Sequence, residues 1–164
     1  MVEQTAVNRW VQGSSPCRGA NTIIMVSQKD WQVVVMEIAH DISKLSNAQR
    51  KKVGCVIVKE GAIISNGFNG TPAGWITNLC EDENGITKPE VLHAESNAIA
   101  KTAKSTLSCE GADLFVTLSP CFECSKLIIQ AGISKVFYSE LYHNTDGLTL
   151  LEKAGIQVKQ VEKI

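Results

Sequence analysis

Two short motifs in this chain carry residue types that could do chemistry together: His93-Ala94-Glu95 and Pro120-Cys121-Phe122-Glu123-Cys124. A Cys-x-x-Cys pair at the start of a helix sets two sulfurs about one turn apart, able to grip one metal ion. The unpaired N–H groups and positive end of the helix favour the thiolates. Pro120 suits such a junction because it has no N–H to leave unsatisfied. Tetrahedral zinc takes four ligands, and a catalytic site leaves the fourth to water. Cys121, Cys124 and His93 supply three. Glu95 can then take a proton from water and return it to a substrate. Residues two apart on an ideal helix point roughly 200° from each other. A metal at His93 reached by Glu95 must therefore lie off the helix tip rather than beside its barrel. Taken alone, the Cys-x-x-Cys pair also reads as a redox couple or as half of a structural zinc site. Cys80 or Cys109 could close such a site as a fourth ligand.

The chain that must position these groups has 164 residues, 44% hydrophobic and 20% charged, which is enough for one domain with a packed core. Sixteen Lys and Arg stand against 17 Asp and Glu, for a net charge of -1. That balance argues against a surface for polymeric nucleic acid but leaves room for one nucleotide. No apolar run approaches the ~18 residues of a membrane span, and the start lacks the pattern of a signal peptide. The reading is a soluble cytoplasmic protein whose six cysteines are reduced. Residues 1–25 show no period and are broken by Gly13-Ser14-Ser15-Pro16, so they read as a poorly ordered N-terminal extension, with residues 26–164 as the domain.

Ser27 and Asp30 form a capping-box pattern before a helix carrying Trp31, Val34, Val35, Ile38, Ile42 and Leu45. Residues 53–58 and 62–65 read as a hairpin turning at Lys59-Glu60-Gly61. Gly67, Gly70, Pro72, Gly74, Gly85 and Pro89 break residues 66–90 into a long loop, of a kind that usually carries function. Helices over 92–104, 121–130 and 145–154 then alternate with strands over 114–118, 135–138 and 156–161, and Gly155 closes the last helix. Alternation after the hairpin predicts helices on both faces of a largely parallel sheet.

His-x-Glu followed by Pro-Cys-x-x-Cys is the signature of the zinc deaminases. Residues 53–58 (VGCVIV), 67–74 (GFNGTPAG), 91–99 (VLHAESNAI) and 119–132 (SPCFECSKLIIQAG), with Tyr142-His143 and Asp146, resemble the deoxycytidylate (dCMP) deaminases of the cytidine-deaminase-like superfamily. Riboflavin-pathway deaminases space the two cysteines further apart. Transfer-RNA adenosine deaminases lack the Gly-aromatic-Asn-Gly loop, and free cytidine deaminases generally place Cys at the His position.

The resemblance implies a three-layer α/β/α sandwich around a mixed sheet of about five strands. It implies hydrolytic deamination of dCMP to dUMP, a supply for thymidylate synthesis, with zinc on His93, Cys121 and Cys124 and with Glu95 as the proton carrier. It further implies substrate contacts from Asn69, the backbone of Ala94 and Tyr142. Arg50, in the run Arg50-Lys51-Lys52, is the candidate for the phosphate. Also implied are a hexamer and control by dCTP with Mg2+ and by dTTP, near a loop carrying Glu81, Asp82 and Glu83. The alternatives are a zinc deaminase of another base, in tRNA or a free nucleoside, and a zinc-stabilised binding module without turnover.

Overall fold

The computed structural model describes residues 27–162. The predicted extension over residues 1–25, with Cys17, lies outside them. Helix α1 (Gln28–Ser43) begins at the predicted box: the Asp30 N–H donates to Ser27 Oγ and the Ser27 N–H to the Asp30 carboxylate, each at 3.1 Å. Strands β1 (Gly54–Lys59) and β2 (Ala62–Phe68) follow as an antiparallel hairpin. Its two connecting residues, Glu60 and Gly61, both take positive φ (51° and 77°), the turn whose twist matches paired strands. Next come α2 (Ala94–Thr102), β3 (Asp113–Leu118), α3 (Phe122–Gln130), β4 (Lys135–Glu140), α4 (Asp146–Lys153) and β5 (Gln157–Gln160). Gly155 sits at φ 81° just past α4, as its sequence position predicts.

The sheet runs β2-β1-β3-β4-β5. β3, β4 and β5 pair in parallel, whereas β1 is antiparallel to both β2 and β3. Alternation thus gives the directions correctly, since β2, β3, β4 and β5 all point one way. The largely parallel sheet expected from it nevertheless needs correcting. β1 is wedged between β2 and β3, so half the pairings are antiparallel and the sheet is mixed. The crossover β2-α2-β3 passes over β1.

β1 is covered on both faces. Val56 and Val58 pack with Phe115, Phe137 and α1, while Cys55 and Ile57 pack with Leu114, Val116, Val136 and residues of α2, α3 and α4. Each such fully buried side chain contributes about 1.5–3 kcal/mol. Three layers result, with α1 alone on one side. The buried face of α1 is Val33, Val35, Met36 and Ala39, while Trp31, Val34 and Leu45 of the predicted apolar stripe remain exposed. The run Val33-Val34-Val35-Met36 makes the helix apolar on several sides, and periodicity alone does not choose among them.

The chain leaves β2, β3 and β4 at the same edge of the sheet, the carboxyl ends of co-directional strands, where α/β folds bind ligands. Asn69, Ser119 and Tyr142 follow those strand ends.

Candidate active site

His93 and Cys121 occupy equivalent places. Each is the N-cap of its helix, α2 and α3, in extended backbone, with no side-chain capping bond of its own. An N-cap side chain is free of the helical direction that would turn it along the barrel. His93 Nδ1 therefore reaches both sulfurs, 3.4 Å from Cys121 Sγ and 3.4 Å from Cys124 Sγ, and the three donor atoms lie within 4.8 Å of one another. Donors on one tetrahedral zinc, with bonds near 2.3 Å to sulfur and 2.0–2.1 Å to nitrogen, stand about 3.5 Å apart. The constellation fits that ion. The site is at the tips of two helices, which answers the geometric demand posed by the His93–Glu95 spacing.

Among the described residues no fourth donor joins this cluster. The Cys80 thiol contacts the Asn78 carbonyl at 3.8 Å, and Cys109 is packed in the core beside Cys55. Glu95, the second residue of α2, is only 4% exposed and lies outside the donor cluster. Its carboxyl lies close to the Cys124 thiol. Burial pushes its carboxyl above the usual carboxylate range. The hydrogen bond from the Cys124 thiol, with one from His93, holds the Cys121 thiol at about 3, and the same bond pushes Cys124 up. The bond to Cys121 raises the His93 imidazole. These are donors sharing protons that a dication would displace.

Glu95 and His93 both line a cleft of about 270 Å3. Its wall includes Ala94, Cys121, Asn69, Arg50 and Tyr142, so every residue predicted as a substrate contact borders one cavity with the catalytic candidates. Their engagements differ. The Asn69 amide accepts the Val53 N–H at 2.8 Å and donates to the Lys51 carbonyl at 2.9 Å. It is thus a structural latch, as Asn-Gly turn chemistry suggests, while keeping one N–H and one lone pair. Lys51 is paired with Glu140 at 2.5 Å. Tyr142 donates its N–H to Ser119 Oγ at 2.7 Å and leans on the His143 ring. Lys126 pairs with Glu123 at 2.6 Å on the exposed side of α3. His40 contacts Ser139 Oγ at 3.2 Å.

Sequence reasoning gave no substrate-site role to the polar lining residues Glu81, Thr87 and Ser119, and placed Glu81 only in a loop near an implied effector site. Glu81 stands in an acidic run that reads as solvated loop. Its carboxylate instead accepts the N–H groups of Gln49 and Arg50. No local pattern signals a contact across 31 or 32 residues.

Residues 29–140 match the family described as the cytidine and deoxycytidylate deaminase zinc-binding region. The chain belongs to that family. Over 172 aligned positions it is 37% identical to deoxycytidylate deaminase of Enterobacteria phage T4, covering 79% of this chain and 89% of the relative. It is also 37% identical to ComE operon protein 2 of Bacillus subtilis, covering 80% of this chain and 71% of that one. The crystal structure of dCMP deaminase from the cyanophage S-TIM5, in complex with dCMP and dUMP, superposes with a TM-score of 0.76 at 50% identity, covering 77% of this chain and 93% of that one. The fold is the mixed-sheet α/β sandwich of these neighbours, and the chain is a zinc-dependent hydrolytic deaminase by family. No described helix is long and apolar enough to cross a membrane.

Proposed function

We propose that this chain converts dCMP and water to dUMP and ammonia. The observation that carries the reading is a buried carboxylate, Glu95, beside a three-donor cluster that borders a cleft of about 270 Å3. His93, Cys121 and Cys124 would hold zinc, which supplies Lewis acidity and lowers the pKa of coordinated water toward about 7. Glu95 takes a proton from the attacking water and delivers it to ring nitrogen N3. It then takes the remaining proton of the added hydroxyl as the C4 carbonyl forms and passes it to the amine as the C4–N4 bond breaks, so that ammonia leaves. A carboxyl raised by burial suits a group that must accept a proton and give it back. The Ala94 backbone meets the cytosine edge, the remaining Asn69 valences meet the sugar hydroxyl, and Tyr142 flanks the nucleotide. Arg50 takes the phosphate, because its planar fork matches phosphate oxygens.

The deaminase domain in this reading is residues 26–164, with residues 1–25 as its N-terminal extension. Carried with it from the family resemblance are a hexameric assembly, activation by dCTP with Mg2+, inhibition by dTTP, and a cytoplasmic setting in which dUMP feeds thymidylate synthesis.

A substrate panel tests the reading. Ammonia release is measured from dCMP, CMP, deoxycytidine and tRNA, with a chelator, with zinc added back, and with dCTP or dTTP present. The expected result is fastest release from dCMP, lost on chelation and restored by zinc. Faster turnover of deoxycytidine or of tRNA adenosine assigns the chain to another base. No ammonia from any substrate, with unfolding on chelation, makes it a zinc-stabilised binding module.

A further inference from the structure

The segment that carries Arg50 has neither helix nor strand to hold it, yet it forms one wall of the cleft. Its geometry is fixed by three pins from elsewhere in the chain. Ser46 Oγ donates to the Asn69 carbonyl at 2.7 Å. The Asn69 side chain holds Lys51 and Val53. Between these pins, the N–H of Gln49 points at both Glu81 oxygens, 3.1 Å each, and the N–H of Arg50 at one of them, 3.3 Å. Two successive N–H groups converging on one anion make a backbone nest, and here a carboxylate of the same chain fills it.

Glu81 is bridged in turn to Thr87, and Thr87 Oγ1 accepts from Arg50 Nη1 at 3.4 Å. Arg50 is therefore held at its main chain and at its side chain by the two partners of one bridge. The charges are arranged to match. Lys51 is neutralised by Glu140, whereas among the described residues no carboxylate lies within ion-pair distance of the Arg50 guanidinium. The Glu81 charge is directed to the backbone of Arg50 and not to its guanidinium, which gives one Nη1 bond to Thr87 and keeps its other N–H groups for an anion.

We infer that Glu81 is a positioning residue for phosphate recognition: by clamping the Gln49 and Arg50 N–H groups it sets the Arg50 guanidinium where the 5′-phosphate of the nucleotide arrives. The inference rests on the reading of this cleft as a dCMP site and on Arg50 as its phosphate contact. It assigns part of the acidic loop a place in substrate selection, because a substrate without the phosphate has nothing to gain from the clamp.

The test measures kcat and KM of the wild type, Glu81→Ala, Glu81→Asp and Arg50→Ala with dCMP and with deoxycytidine, alongside zinc content and melting temperature. Glu81→Ala raises KM for dCMP about tenfold, the scale of one charge-assisted hydrogen bond, with kcat held within about twofold. Turnover of deoxycytidine stays within about twofold. Glu81→Asp, which withdraws the carboxylate by one methylene, moves KM in the same direction by less and serves if the alanine variant does not fold. In an Arg50→Ala background the Glu81→Ala change adds less than about twofold, since the two act as one unit. An unmoved KM for dCMP, an equal loss with deoxycytidine, or full additivity with Arg50→Ala overturns the clamp and leaves the deaminase reading standing. A wild type that releases no ammonia from dCMP overturns that reading, and the clamp with it.

Discussion

Gly67, in β2, lies directly against the backbone of α2, and replacing it with alanine tests whether helix placement sets catalysis. A Cβ at Gly67 would stand 2.2 Å from the Ala94 carbonyl oxygen and 2.6 Å from the Ala98 nitrogen. The first distance is about 1.2 Å short of the 3.4 Å at which ordinary contact begins, and both obstacles are backbone. Nothing flexible can yield, so α2 must move away from β2 by about 1 Å. The Ser65–Ala98 and Asn97–Phe68 hydrogen bonds, 2.7 and 2.8 Å, resist that movement. Overpacking of this kind costs about 1–3 kcal/mol. The consequence for chemistry is larger. Glu95 and Ala94 ride on α2 and His93 caps it, while Cys121 and Cys124 stay with α3. A misplacement near 1 Å costs about 100-fold in rate.

The matching control is Gly54→Ala, whose Cβ meets the Ala39 carbonyl at 2.0 Å on α1, a helix with no candidate site residue. Thermal melts, zinc content and ammonia release per folded molecule should separate the two. Both variants lose stability, but only Gly67→Ala loses kcat per zinc-loaded molecule, by about two orders of magnitude. Wild-type kcat in folded Gly67→Ala, or equal kcat losses in both, would refute the argument that the β2–α2 contact sets the geometry.

Two further predictions follow from single side chains. Glu95→Gln keeps the volume and removes the proton carrier, so kcat for dCMP falls by about 1,000-fold while zinc content stays at the wild-type level; loss of zinc, or turnover within tenfold of wild type, contradicts the role. Asp113, half-buried on β3, has its carboxyl pushed up by burial, with Lys135 and the Ser134 hydroxyl pulling partly back. A folded-state pKa above the unfolded one means a contribution present in acid and lost as pH rises through the folded value. Asp113→Asn therefore melts about 1–2 °C above wild type at pH 7, a small gain because solvent screens the group, and the two curves converge below the ordinary carboxylate value of 3.8. A wild type that gains on the variant as pH rises reverses the sign and refutes it.

The elements were legible because most of their signals are local. The Ser27–Asp30 box, the Glu60-Gly61 turn and Gly155 each act within a few residues, and each stands where the sequence places it. The insertion of β1 between β2 and β3 was not legible. Strand order depends on which edge the chain returns to, and β1 differs from a parallel neighbour only in direction. The exposed stripe on α1 was hidden for a related reason, since Val33 and Val34 are chemically alike and only packing distinguishes them.

The same division runs through the site and explains its construction. The metal donors were readable because each needs only a helix start: the motif, the N-cap and the direction of the side chain are one local event at His93 and again at Cys121. What joins those events is a sheet edge where strands pointing one way release the chain together. The wall opposite obeys other physics. Asn69 and Glu81 hold the Arg50 segment through main-chain groups, and a backbone N–H has no residue type to announce it. Chemistry around Glu95 and the donor cluster is thus written in side chains, whereas the shape of the Arg50 side of the cleft is set by which carboxylate and amide reach the backbone of residues 49–53. Relatives that keep the motifs and change Glu81 should therefore keep the reaction and differ in how strongly they require the phosphate.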